Sequence, residues 1–445
     1  MHDDLASAID QIFPSVRAGL ERLVRIPSVS APDFDPAPVR TSAEAVAGLL
    51  EGAGLEGVRL LEVEGAHPAV FGEVAAPAGA PTVLLYAHHD VQPPGDPADW
   101  SSPPFEPVER NGRLYGRGAS DDKAGLMVHV AALTALRGAM PVGVKVIIEG
   151  EEEIGSLHMA DFLARYGDQL AADTIVIGDS ANWRLGQPSL TTSLRGLIDC
   201  TVEVRTARHG VHSGMFGGPL VDALTILTRL LATLHDNRGR PTVEGLVSRD
   251  AEPLDLTEEE LREQAGVTAG LQFVGEGSLT SRIWMQPAIA VLAIDAPPVA
   301  EAINQLVPVA RAKVSVRLAP GDVPARAMAA LEAHLRAHIP WGAELRFIPG
   351  AQAEPFELTE KGRSYEAFHA GLAEAWGRPA IDIGVGGTIP LVAALAQRFP
   401  AASVLLTGVG EPLSRWHGPD ESQDLEELRR GCLAEAIALR LIGER

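Results

Sequence analysis

An α/β fold interrupted by an inserted antiparallel domain is the architecture this sequence predicts, and three observations predict it. Continuous apolar runs at 82–86, 142–149 and 172–177 alternate with segments of helical periodicity, the pattern of strands covered on both faces by helices. Between about 189 and 355 the pattern changes: 196–205 and 312–318 alternate apolar with polar residues, as half-exposed strands do. From about 358 the first pattern resumes. At 445 residues the chain is long enough for two domains. We therefore expect one domain in two parts, 1–188 and 356–445, with a second, 189–355, inserted between them.

Taken in order, 4–23 reads as a helix, with Leu5, Ile9, Ile12 and Phe13 at helical spacing. The run Ile26-Pro27-Ser28-Val29-Ser30 breaks it, and a second helix is expected over 41–53. Strands are expected at 58–63, 69–74 and 82–86. Residues 92–107, rich in Pro and Asp, read as loop, and 113–115 as a short strand. A helix over 121–136, a buried strand over 142–149, a helix over 159–166 and a strand over 172–177 complete this part. In the insert, strands at 196–205, 288–294, 312–318 and 344–348 accompany helices at 219–235 and 323–338. The stretch 236–281 is polar and irregular, apart from a capped helix start at Leu256-Thr257-Glu258-Glu259-Glu260. Helices at 364–376, 391–396 and 424–442 and strands at 380–383 and 403–406 follow. No internal repeat or low-complexity tract is present.

Composition excludes several classes of function. The chain is 46% hydrophobic and 22% charged, as ordinary globular proteins are. A net charge of −22 leaves no basic surplus to neutralise phosphates, so no nucleic-acid partner is expected. No run approaches the ~20 apolar residues of a membrane span, and the N-terminus, with Asp3 and Asp4, has no apolar signal-peptide core. The only two cysteines, Cys200 and Cys432, suggest no disulfide framework. A cytoplasmic location is expected.

The residues able to carry chemistry follow the strands. His88 and Asp90 lie two apart at a strand end and share a face, whereas His89 points the other way. A ligating His usually donates its second ring nitrogen to an orienting group, a role open to Asp90. Asp121 and Asp122 sit in a Gly-rich turn opening a helix, where either could instead be a cap. Glu149, Glu151, Glu152 and Glu153 concentrate negative charge after a buried strand. A solvated acidic loop would explain them, but a cation supplies the counter-charge more economically, and a carboxylate beside it can serve as general base. Asp179 ends another strand, and His417 follows the strand 403–406. Two histidines with carboxylates and no thiolate suit zinc, cobalt or manganese in hydrolytic rather than structural use. His129, His158, His235 and His369 read as packed or surface residues, Cys200 as core, and Lys123 as a partner of the acidic turn.

The stretches His88-His89-Asp90-Val91, 116–125, 149–156, Gly178-Asp179, His212-Ser213-Gly214 and His417-Gly418-Pro419-Asp420-Glu421 together resemble the dinuclear metallopeptidase family of aminoacylases, succinyl-diaminopimelate desuccinylase, glutamate carboxypeptidases and carnosine-type dipeptidases. The motifs occur in the family's order through nearly all of the chain. The 92–100 segment, Phe216-Gly217-Gly218, and the insertion with 256–260 and Trp284 look most like the dipeptidase branch. The resemblance implies a zinc-peptidase-like catalytic domain with a mixed, largely parallel sheet, and an inserted α+β lid or dimerisation domain. It implies that Asp121 bridges two divalent metals, zinc or else manganese or cobalt. His88 and Asp179 complete one site, and Glu153 and His417 the other. It makes Glu152 the general base, Asp90 the orienter of His88, and His212 the stabiliser of the oxyanion, often across a homodimer through the lid. Arg317 would clamp a terminal carboxylate, assisted by Gly387 and Thr388. The sequence departs from the family at Ala87, usually Gly; at His89, usually apolar; at Asp420, usually Asn; and at Thr388, usually Ser in the dipeptidases. None of these removes a ligand.

The expected activity is hydrolysis of dipeptides or similar small peptides with a free carboxylate, by attack of a metal-bridging hydroxide with Glu152 taking its proton. An N-acyl-amino-acid deacylase shares every motif and differs in the pocket for the amino end. A catalytically silent binding protein on the same fold would lack a ligand or the base, and all are present.

Overall fold

The computed structural model describes residues 2–444, and only the main chain of Pro390; Met1 and Arg445, the ends of the expected domain bounds, lie outside the described residues. Two compact units emerge. The first comprises residues up to Thr192, Leu358–Ile383 and Ile389 onward; the second comprises Ser193–Glu357 and Gly384–Thr388.

The first unit is built on a mixed sheet. Its strands lie in the order Glu56–Leu61, Ala69–Val74, Gly143–Glu149, Thr82–His88, Thr174–Ile177, Ser403–Leu406, Ser189–Leu194. The four central strands from Gly143–Glu149 to Ser403–Leu406 run parallel, and the flanking ones pair antiparallel. Parallel neighbours need helical crossovers, and the helices Lys123–Ala135 and Met159–Leu170 supply them. The central strands are apolar throughout because helices cover both faces: Val83, Leu84, Leu85, Val146, Ile148, Ile175 and Val176 are all buried. Helices Asp3–Val24, Lys123–Ala135, Arg363–Trp376 and Leu425–Gly443 close the core through Leu20, Leu23, Leu126, Phe368 and Ile437.

Element ends differ from expectation for local reasons. The second helix begins at Ala37, not 41, because Pro36 and Pro38 sit where a proline's missing N–H costs nothing. The helix expected at 219–235 spans only Ala223–Ala232, since Asp222 caps it by accepting from the Thr225 N–H. A small sheet not foreseen as such, Ser422–Asp424 with Arg113–Tyr115 and Val108–Arg110, brings the chain around 417–421 beside the turn at 116–121.

The second unit is a four-stranded antiparallel sheet in the order Ala288–Asp295, Val309–Leu318, Gly196–Arg205, Glu344–Ala353. Alternation along Gly196–Arg205 buries Ile198, Cys200, Val202 and Val204 against helices Ala223–Ala232 and Pro324–His338. Helix Glu258–Ala265 opens with the Thr257–Glu260 capping box. Among the described residues no helix is long and apolar enough to cross a membrane.

Candidate metal centre

In open α/β sheets ligands gather outside the carboxyl ends of parallel strands, and the candidate residues of the first unit gather there. His88 pairs in register with Glu149, and Tyr86 with Ile177, so His88, the 149–153 loop and Asp179 leave the sheet side by side.

The side chains then converge. Asp121 divides its carboxylate: Oδ1 lies 3.1 Å from His88 Nε2, and Oδ2 lies 3.0 Å from His417 Nε2. On the first side Asp179 Oδ2 approaches His88 Nε2 at 3.9 Å. On the second, Glu153 Oε2 is 3.2 Å from His417 Nε2. Ligand-capable atoms of His88, Glu152 and Asp179 all lie within 4.8 Å of one another, as do those of His88, Asp121 and Glu153. The site thus offers two pockets sharing one carboxylate, each with one imidazole and further carboxylate oxygens. That donor set fits a pair of divalent cations of the zinc, manganese or cobalt type.

The electrostatics point the same way. Burial and then the neighbouring carboxylates, set against the opposing pull of His88, push Asp179 up to about 7. Burial and the Asp179 charge raise Glu152 well above the usual carboxylate range. Burial alone would raise Asp121 too, but hydrogen bonds to His417 and His88 hold it below that range. Bonds to Asp121 and Glu153 lift His417 to about 10. Protein charges alone therefore make the cluster gather protons. With both imidazoles neutral, the carboxylates of Asp121, Asp179, Glu152 and Glu153 carry four negative charges, which two divalent cations balance.

The acidic loop sorts into two kinds of glutamate. Glu149 is buried and accepts the Tyr86 hydroxyl at 2.6 Å. Glu151 is buried and accepts from the His67 N–H and from His158 Nδ1. Only Glu152 and Glu153 reach the cluster. Asp90 holds both in place, because its Oδ1 and Oδ2 accept the N–H groups of Glu152 at 3.2 Å and Glu153 at 3.1 Å. His88 Nδ1 faces the main-chain carbonyl of Asp90 at 3.1 Å and its Oδ1 at 3.4 Å. The main chain thus shares the orienting part. Gln92 was not foreseen: its side-chain amide binds Glu153 Oε2 at 2.9 Å and its N–H binds Oε1 at 3.1 Å. Its place two residues beyond Asp90 was the only signal.

Three other expectations meet the structure. Of the two aspartates in the Gly-rich turn, Asp121 enters the cluster, whereas Asp122 turns back to accept the His88 N–H at 3.2 Å. His89 is buried and faces the Pro68 carbonyl, away from the cluster. Lys123, expected to pair with the acidic turn, makes no hydrogen bond to it among the described residues. Its buried ammonium donates to the carbonyls of Leu23 and Ile26 at 2.9 and 3.0 Å, satisfying the end of the first helix.

The remaining candidates belong to the second unit. His212 lies in a two-residue ladder, Val211–His212 against Gln305–Leu306, and is exposed. Its Nδ1 accepts from the Gly214 N–H at 3.1 Å, so the neutral ring carries its proton on Nε2 as a donor. Arg317 Nη1 donates to Thr388 Oγ1 at 2.9 Å, and Thr388 Oγ1 donates to the Arg195 carbonyl at 2.6 Å. Arg195 was missed in the sequence. Burial and the Arg317 charge push it down to about 10, and its Nε binds the Gly386 carbonyl. A side chain at Gly386 would collide with Arg195 and the Ile283 carbonyl, whereas a Cβ at Gly387 would make only ordinary contact with Val385. The Arg317 guanidinium beside Thr388, with the Arg195 guanidinium close enough to feel its charge, gives this part of the second unit a positive character suited to an anion.

The sequence matches the family model described as Peptidase family M20/M25/M40 over residues 84–440. The chain belongs to this family. It is therefore an enzyme, in a family that includes a dinuclear metal-binding peptidase. It is 36% identical to a cysteinylglycine-S-conjugate dipeptidase of Corynebacterium striatum, over 91% of this chain and 90% of that one. It is 28% identical to a Beta-Ala-His dipeptidase of Rattus norvegicus, over 79% and 77%. Among solved structures, a di-peptidase from Saccharomyces cerevisiae superposes with a TM-score of 0.82 at 21% identity, covering 100% of this chain and 98% of that one. The M20 peptidase thus has the mixed α/β architecture with separate antiparallel sheets found in its structural relatives.

Proposed function

We propose that the protein is a metal-dependent dipeptidase that hydrolyses small peptides with a free terminal carboxylate. The observation that carries this reading is the divided carboxylate of Asp121, one oxygen toward His88 and the other toward His417. His88 and Asp179 would hold one divalent cation, Glu153 and His417 the other, and Asp121 both. Zinc suits the donors best, with manganese or cobalt able to replace it. When bound, such cations polarise an amide carbonyl and lower the pKa of water.

The chain's own residues do the rest. Glu152, poised by burial beside Asp179, takes a proton and returns it to the departing amine. Asp90 fixes the main chain of Glu152 and Glu153 while helping to orient His88. His212 offers its Nε2 proton to the developing oxyanion. Arg317, with Thr388 and the main chain at Gly387, receives the substrate's carboxylate through a planar fork.

A homodimer through the second unit is supported by the edge strand Ala288–Asp295, which leaves Val291, Leu292 and Ile294 exposed. Buried free Cys200 and Cys432 support a reducing compartment, and we place the enzyme in the cytoplasm.

The test is a panel of dipeptides, tripeptides, C-terminally amidated dipeptides and N-acyl amino acids, given to protein stripped of metal and reloaded with zinc or manganese. Metal-dependent cleavage of free-carboxylate dipeptides is expected. Cleavage of N-acyl amino acids with dipeptides untouched would make the enzyme a deacylase instead.

A further inference from the structure

We propose that Arg117 and Glu421 form a buried strut that places the His417 side of the metal centre, making both positioning residues for the second cation. The proposal rests on the ligand assignment above.

Both side chains are almost wholly buried, Arg117 at 1% exposure and Glu421 at 0%. Glu421 spends both oxygens on the turn that carries Asp121. Its Oε2 accepts Arg117 Nη1 at 2.7 Å and the Gly118 N–H at 3.0 Å. Its Oε1 accepts the N–H groups of Ser120 at 3.0 Å and of Asp121 itself at 3.1 Å. Arg117 reaches the other way: Nη2 donates to the main-chain carbonyl of His417 at 3.1 Å and to that of Pro93 at 3.4 Å. The Glu421 carbonyl also accepts the Gly116 N–H. One ion pair thus ties the shared ligand's main chain to the main chain of the exposed ligand.

The two sides of the centre differ in what else holds them. His88 and Asp179 leave adjacent strands of a parallel sheet, so ladder bonds set their spacing. His417 stands on a loop with left-handed backbone at Arg415, His417 and Asp420, whose φ values are 56, 60 and 56°. Such conformations are uncommon outside glycine and persist where surrounding contacts impose them. Asp420, in place of the family's usual Asn, tolerates this backbone and accepts the Ser101 N–H and hydroxyl. The Arg fork serves two directions at once, and a lysine ammonium lacks that planar geometry. Desolvating a buried pair makes it a poor stabiliser, so its use lies in geometry.

The experiment titrates metal-free wild type, H417A, R117K and E421Q with zinc against a chelating indicator. Bound metal is counted, the cobalt-loaded visible spectrum is recorded, and native fold is checked by circular dichroism. In E421Q an amide nitrogen must face backbone donors whichever way it flips. Wild type should bind two cations and H417A one. R117K should keep the first affinity within about 3-fold and weaken the second about 10- to 100-fold, as lost support behind a ligand does, with a changed cobalt spectrum; E421Q, which also disturbs the main chain of the shared Asp121, should weaken both cations, the second by more. Should E421Q not fold, R117K carries the comparison. Unchanged second affinity in the folded variants, equal weakening of both cations, or loss of fold in both variants would overturn the strut. Two cations still bound by H417A would overturn the ligand assignment, and the strut with it.

Discussion

Asp90→Asn is the substitution whose effect the structure specifies most closely. The buried Asp90 carboxylate accepts three hydrogen bonds: Ser30 Oγ at 2.7 Å, Glu152 N at 3.2 Å and Glu153 N at 3.1 Å. An asparagine of the same shape turns one oxygen into a donor. With nitrogen in the Oδ1 place, the Glu152 N–H faces it; in the Oδ2 place, the Glu153 N–H does. The Ser30 hydroxyl can rotate to accept, but a main-chain N–H cannot. Each orientation strands one backbone donor, at a cost of about 1–3 kcal/mol. The loss falls on the loop that presents Glu152 and Glu153. His88 is spared more, because its Nδ1 also faces the Asp90 carbonyl. The metal-free variant should melt below wild type by that free energy in urea titration. Cation affinity should fall about 10- to 100-fold, chiefly on the Glu153 side. Wild-type urea stability together with wild-type affinity for both cations would refute the reasoning.

Four further outcomes are expected. Glu152→Gln should lower turnover by about 10²- to 10⁴-fold while both cations stay bound; lost metal instead would make Glu152 a ligand. Arg317→Met should lower kcat/KM on free-carboxylate dipeptides about 10- to 100-fold, as the loss of a charged hydrogen bond does, and leave a C-terminally amidated peptide unaffected. Burial holds His89 down to about 4, so the unfolded chain binds a proton that the folded chain refuses. The part of the stability that His89 controls should therefore fall by about 3 kcal/mol as pH drops from about 6.5 to 4, so in urea titrations the difference between wild type and His89→Gln should shift in the variant's favour by that amount over this range. Removing metal with a chelator should abolish turnover and lower the melting temperature, since cations at 100 times their Kd stabilise by about 2.7 kcal/mol per site; an unmoved melting curve at pH 7.5 would contradict the cation count.

Much of the fold was legible because its central strands are unbroken apolar runs, and Val83 to Tyr86 or Ile175 to Ile177 admit few other readings. Helix ends were less so. Proline at Pro36 and Pro38 reads equally as a breaker or as a first turn, and only packing decides. Within the centre, the sequence pointed to the strand ends but not to which acidic side chain goes where. Glu149 and Glu151 look like Glu152 and Glu153 on paper. They separate only because Tyr86 on the sheet and His67 and His158 on other segments hold the first two away from the cluster. Lys123 shows the same limit: its neighbours in sequence are acidic, but its neighbours in space are carbonyls of a helix some hundred residues earlier.

What escaped the sequence has one physical character. Ligands on strand ends inherit their positions from the hydrogen-bond ladder, so short motifs suffice to find them. Ligands on loops have no ladder, and a metal site must be held to within about half an ångström. Here buried and half-buried polar groups stand in for it. Asp90 and Gln92 hold Glu153, and Glu421 holds the turn of Asp121. Burying charge this way costs desolvation that an apolar core would avoid, so the fold accepts it where position matters most. A polar side chain with no chemistry of its own, buried within two bonds of a loop ligand, is therefore the feature to seek when the coordinates of such a site are in hand.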